Sequence, residues 1–112
     1  MKYLRRLGFC VARVEQRLPI PGRSVTKDCF GFGDLLAVSD AGGIVLVQTT
    51  TRANLSKREA KARAIPELGT WLRAGGKFFL HGWAKRGARG KRKLWELTEM
   101  EITRREFTTL EI

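Results

Sequence analysis

The stretch Gly33-Asp34-Leu35-Leu36-Ala37-Val38, followed after a turn by Ile44-Val45-Leu46-Val47-Gln48-Thr49-Thr50, decides how this chain folds. The second run is short, apolar and β-branched, which predicts a strand buried on both faces. The first predicts a strand over residues 32–38 with Asp34 near its start, and Asp40-Ala41-Gly42-Gly43 is the turn between the two. Side chains on a strand repeat with a period of two. Laid side by side, the two strands therefore bring Asp34, Gln48 and Thr50 onto one face at one end of a sheet. A carboxylate beside an apolar strand needs a reason, because burying an unpaired charge is costly. Glu15, at the end of an earlier strand, and Asp28 are the further acidic residues placed to join it.

Upstream, residues 3–7 form a short helix with Tyr3, Leu4 and Leu7 on one face, ended by Gly8. Residues 9–15 alternate and read as a strand, and Pro19 to Gly22 make the following segment a loop. Downstream, Ser56-Lys57-Arg58-Glu59 has the form of a capping box and predicts a helix start. Ile65, Leu68, Trp71 and Leu72 continue an apolar helical face, which Pro66 kinks or splits and Gly75-Gly76 end. A strand runs from Phe78 toward Trp83, and residues 94–102 alternate as another. Residues 108–112 add an edge strand or fray. Helix, three strands, helix and two strands make an α/β layer architecture, a mixed central sheet flanked by helices, within one domain over residues 1–112.

The charge narrows the class of partner. Twenty-two Lys and Arg against 11 Asp and Glu leave a net +11. An excess of that size is costly in self-repulsion and fits a polyanion, whose condensed counterions are released on binding. Residues 77–93 hold seven Lys or Arg and no acid, with Gly87 and Gly90 between them. Such a loop suits phosphate contact without base reading. Candidate DNA contacts are Arg13, Arg23, Lys27, Arg52, Arg58, Lys85, Arg86, Arg89, Lys91, Arg92 and Lys93.

Cys10 and Cys29 lack metal-ligand spacing and read as buried thiols of a reducing, cytoplasmic compartment, the host cytoplasm if the source is viral. The first residues have no apolar signal core, and no apolar run nears the roughly 20 residues that span a bilayer, so no membrane partner is expected. His81 reads as a packing residue, and Trp71, Trp83 and Trp95 as core, since nothing spaces them as a stacking platform.

The Asp34–Gln48–Thr50 arrangement resembles the PD-(D/E)XK nuclease superfamily. That signature places an acidic residue at one strand and Asp/Glu-x-Lys on the next. The layout looks closest to the archaeal-type Holliday junction resolvase branch, whose Gly-Phe-x-Val-x-Arg strand is matched by Gly8-Phe9-Cys10-Val11-Ala12-Arg13. The likeness also covers residues 28–36 and spans about residues 3–83. It implies a restriction-endonuclease-like fold and a structure-selective DNA endonuclease dependent on Mg²⁺, or on Mn²⁺ in its place, that resolves four-way junctions. Phosphodiester hydrolysis needs an activated water and a stabilised leaving oxygen, which one or two such ions supply.

In that implied site Asp34 is the central metal ligand, and Gln48 and the Thr49 carbonyl supply neutral oxygens. Glu15 or Asp28 completes the charge, with Glu15 equally placed to pair with Arg13 or Arg17. The sequence departs from the family at Gln48, where an acid is expected, and at Thr50, where the lysine is expected. Lys57 and Lys61, one helical turn apart, either replace that lysine or serve as phosphate contacts on a solvated face. Paired cuts imply a homodimer with two sites, for which Phe78, Phe79, Phe107 and Leu110 are the surplus apolar residues. The alternatives are a less selective nuclease and an inactive DNA-binding module of the same fold.

Overall fold

The computed structural model describes residues 1–23, 25–87 and 94–107, with only the backbone given for 106 and 107. The elements run α1 (Lys2–Arg6), β1 (Cys10–Arg13), β2 (Gln16–Leu18), β3 (Val25–Lys27), β4 (Leu35–Ser39), β5 (Gly43–Thr51), α2 (Leu55–Arg63), α3 (Pro66–Arg73), β6 (Lys77–Arg86) and β7 (Leu94–Ile102). Five strands form one mixed sheet in the order β1-β4-β5-β6-β7. β4 and β5 are antiparallel neighbours, with Leu35 opposite Val47 and Val38 opposite Ile44. β6 runs parallel to β5, Leu46 beside Phe78 and Gln48 beside Leu80, while β1 and β7 close the edges antiparallel. A parallel pair needs a long crossover, and α2 and α3 provide it.

Val45, Leu46 and Val47 of β5 are buried on both faces, as the composition predicts, but Ile44 at the head of the run is 51% exposed. Leu46 packs with Phe32, Phe78, Leu80 and Ile102 beneath Leu55, Ala62, Leu68 and Leu72 of the helices. Val45 and Val47 pack on the other face with Leu35, Ala37 and Leu4 of α1. The chain is thus α/β, with one mixed sheet between a helical pair and a single short helix. Among the described residues no helix is long and apolar enough to cross a membrane.

Several expectations need correction. Pro66 does split the helix: Ile65 before it is extended, as a residue preceding proline prefers, and α3 starts on the proline. The capping box does not form. The chain enters a 3₁₀ turn at Arg52, where Thr51 Oγ1 accepts the Asn54 N–H at 3.3 Å, so Ser56 already lies inside α2. Glu59 pairs with Arg63 one turn on instead. The first strand stops at Arg13, and an unexpected hairpin follows, β2 against β3 with Gln16 opposite Lys27. Cys10 is exposed and Cys29 half-buried, so neither is a buried thiol. Phe78 is wholly buried, which removes it from any free dimer surface, and Phe79 is partly buried. Trp95, 63% exposed, is not core. Residues 88–93 and 108–112, and with them the Arg89, Lys91, Arg92, Lys93 and Leu110 expectations, lie outside the described residues, as does the Phe107 side chain.

His81 is a packing residue, 2% exposed, edge-on to Tyr3 and Trp83 and 2.8 Å from Glu99 Oε2. Burial holds its pKa below the usual value despite the opposing pull of Glu99. The unfolded chain then binds a proton that the folded one resists, so stability falls as pH drops below about 6.5 and levels off below the folded-state value. Thermal denaturation followed from pH 7.5 to 5 should show the Tm of the parent falling relative to that of His81→Leu. An equal slope in both proteins would place the titration elsewhere.

Candidate active site

The segment Asp28-Cys29-Phe30-Gly31-Phe32-Gly33-Asp34 closes on itself. Cys29 and Gly33 form an antiparallel bridge, and the Cys29 N–H donates to the Gly33 carbonyl at 2.6 Å. Asp28 and Asp34 are the next residues out on either side, so the turn sets two carboxylates next to each other. Phe30 and Gly31 make the reversal with φ of 55° and 84°. Gly31 adopts this left-handed backbone freely, but Phe30 does so at a cost of order 1 kcal/mol. Phe32 anchors the loop in the core, edge-on to Phe78 at 5.3 Å. Gly33 lies against Leu46 so closely that a Cβ would stand 2.9 Å from its side chain.

Asp34 sits just ahead of β4 and is 8% exposed. Its N–H donates to the Val47 carbonyl, and its carbonyl accepts the Val14 N–H. Its carboxylate accepts the Thr49 N–H at 3.2 Å and the Thr49 hydroxyl at 2.7 Å. Burial raises its pKa above the ordinary value; the Thr49 hydrogen bonds oppose that rise, and the negative charges of Asp28 and Glu15 add to it. Among the described residues no Lys or Arg forms an ion pair with Asp34 or Asp28. Gln48, its amide oriented by its hydrogen-bond partners, donates from Nε2 to Asp28 Oδ2 and to the Phe32 carbonyl, both at 3.0 Å.

These groups floor a cleft of about 500 Å³. Glu15, Asp28, Asp34, Gln48 and Thr49 all line it, and Lys27, Arg58 and Lys61 bring positive charge to its walls. Thr50 does not line it: Asp34 precedes the extended part of β4, and its side chain turns to Thr49. Lys57 is exposed on α2 and does not line the cleft either. Glu15, at the cleft, pairs with Arg13 at 3.1 Å, and the Arg13 side chain is largely exposed. Arg52 is committed to Thr98 and to Glu96 at 2.8 Å. Arg23 and Arg86 are exposed, and Lys85 lies 5.1 Å over the Trp95 ring.

Comparison of the chain with protein-family models, curated proteins and solved structures finds no match. The site therefore rests on its own chemistry. Among the described residues no three His, Cys, Asp or Glu side chains are grouped to hold a metal by themselves. What stands in the cleft is a pair of adjacent carboxylates, neutral oxygen donors and a cationic wall. The hairpin that carries Thr26 and Lys27 over it left no clear sequence signal, its strands being three residues each and largely polar.

Proposed function

We propose that this chain is a Mg²⁺-dependent DNA endonuclease of restriction-endonuclease-like fold, selective for branched DNA and acting on four-way junctions as a homodimer. The observation that carries the reading is the Asp28–Asp34 pair, Asp34 buried and Asp28 half-buried, with no ion-pair partner among the described residues and with Lys27, Arg58 and Lys61 lining the same cleft. Like charges held side by side and unneutralised favour a bound cation. The donor set fits Mg²⁺, which is commonly held by one or two carboxylates with water and substrate phosphate completing an octahedron. Asp34 and Asp28 would hold the ion, with the Thr49 carbonyl as a further oxygen. The chemistry a bound ion would supply there is activation of a water and stabilisation of the leaving oxygen.

The chain's own residues do the rest. Thr49 fixes the Asp34 carboxylate through two donors, so no side-chain reorientation is required at the reaction step. Gln48 holds Asp28 in place. Lys61 meets the charge that develops on the phosphate, while Arg58 and Lys27 seat the flanking backbone. The resolvase likeness is supported by α1 ending at Gly8 before β1, and by Asp34 heading a hairpin whose second strand carries Gln48 and Thr49. One observation favours the second reading, a binding module without catalysis: positions 48 and 50 hold Gln and Thr, and Thr50 is outside the cleft.

A labelled four-way junction, incubated with and without Mg²⁺ beside a plain duplex, tests the proposal. Symmetric nicks near the branch point, requiring Mg²⁺, are expected, together with a solution mass near twice the 12.7 kDa chain. Equal cutting of duplex and junction would mean a less selective nuclease. A mobility shift with no cleavage in Mg²⁺ or Mn²⁺ would establish the binding module.

A further inference from the structure

The sheet face opposite the Asp34 cleft carries a second, chemically different cleft. Along β6, Phe78, Leu80 and Gly82 turn toward α2 and α3, whereas Phe79, His81 and Trp83 turn toward α1. The Asp34 cleft is walled by Arg58, Lys61 and Ile65 on the first side. On the second, Met1, Lys2, Tyr3, Arg6, Trp83 and Trp95 enclose about 500 Å³.

Among the described residues three aromatic rings and two cations line that space, and no acid does. Tyr3 and Trp83 meet edge to face at 6.4 Å, and His81 braces both, at 5.7 Å and 6.5 Å. These rings are locked into one arrangement. Trp95, by contrast, keeps 63% of its surface in solvent, with Lys85 over one side of it. An indole this exposed beside a braced aromatic wall offers a flat face on which a planar group can stack. Lys2, Arg5 and Arg6 line an adjoining depression on α1, extending positive charge away from the rings.

We propose that this cleft binds an unpaired nucleobase of single-stranded nucleic acid, stacked on Trp95 and backed by Trp83 and Tyr3, with Lys2 and Arg6 on the neighbouring phosphates. Flat faces for bases and a cationic track for the backbone are the two parts such recognition requires. Charge complementarity selects this occupant over an apolar one. An anionic membrane surface is the competing occupant, and the test below separates the two. The proposal shares with the nuclease reading only a polyanionic partner. It uses neither Asp34 nor a metal, so the two can fail separately.

The test is titration of the full chain, without divalent metal, with an oligodeoxythymidylate of roughly ten nucleotides, within the site sizes of small single-strand binders. Tryptophan fluorescence reports binding. Quenching is expected, and Trp95→Ala should weaken affinity about tenfold, the scale of one lost stacking contact. Trp95→Phe should recover most of it. Lys2→Gln combined with Arg6→Gln should lower the salt slope by about 1.4 units, as expected for two phosphate contacts on a single strand. An abasic oligonucleotide of equal length binding as tightly as the thymidylate would overturn the proposal. So would a Trp95→Ala affinity within twofold of the parent, an unchanged salt slope in the double variant, or displacement of the oligonucleotide by anionic phosphatidylserine vesicles.

Discussion

Asp34→Asn is expected to reduce Mg²⁺-dependent cleavage of junction DNA by roughly 10³-fold, the scale on which losing a central charge-stabilising group acts. The variant should keep its affinity for the junction, or gain slightly, because a negative charge facing phosphate is gone. It should also be more stable than the parent at neutral pH. Burial raises the Asp34 pKa in the fold, so the charged form is disfavoured there relative to the unfolded chain. The folded state then binds the proton more tightly, and the ionised carboxylate destabilises the fold at any pH above its raised value. That penalty shrinks as pH falls and is gone below about 3.9, where both states are protonated. The Tm advantage of Asp34→Asn should thus be largest near pH 7 and fade toward pH 4. Added Mg²⁺ should raise the parent's Tm by ligand linkage and leave the variant's unmoved. Full cleavage by the variant would place the metal elsewhere, and an unchanged Tm at pH 7 would mean that Asp34 is not held as a buried charge.

Asp34 was legible in the sequence because a carboxylate beside Leu35 and Leu36 conflicts with its surroundings, and Val45–Val47 because a short β-branched apolar run suits a strand buried on both faces, although Ile44 before them is exposed. The details around Asp34 were less so. A period of two assigns side chains to faces only within extended backbone. Asp34 stands just ahead of β4, its carboxylate turns to the Thr49 N–H and hydroxyl, and the expected partner Thr50 is left out. Gln48 reads as an oxygen donor by its place in the motif; the turn around Phe30 and Gly31 brings Asp28 to it, and its nitrogen is what meets that carboxylate. No local pattern reveals such a long-range meeting. Trp95 was misread for a related reason. Alternation along β7 gives its face, but not whether anything covers that face, and there the covering helix is only the five residues of α1.

Lys61→Met is expected to slow cleavage about 10²-fold with affinity for the junction nearly unchanged, whereas Lys57→Met should leave the rate intact. In the sequence the two are interchangeable, one turn apart on one helix face. The structure separates them: Lys61 lines the Asp34 cleft and Lys57 does not. A cation placed where charge develops on the phosphate lowers the barrier more than it strengthens ground-state binding, so its loss appears in kcat. A cation that only meets the DNA backbone acts on affinity, and its loss reduces the salt slope by about 0.9 unit on duplex arms. Lys57→Met should show that second pattern if it touches DNA, and Arg58→Gln should show mainly the second, since Arg58 is assigned to seat the flanking strand. Single-turnover rates at saturating protein, paired with binding titrations over a range of salt, separate the two patterns. A Lys61→Met protein that loses only affinity would leave the missing motif lysine without a replacement in this cleft. The Gln48 and Thr50 departures would then weigh toward a module that binds branched DNA without cutting it.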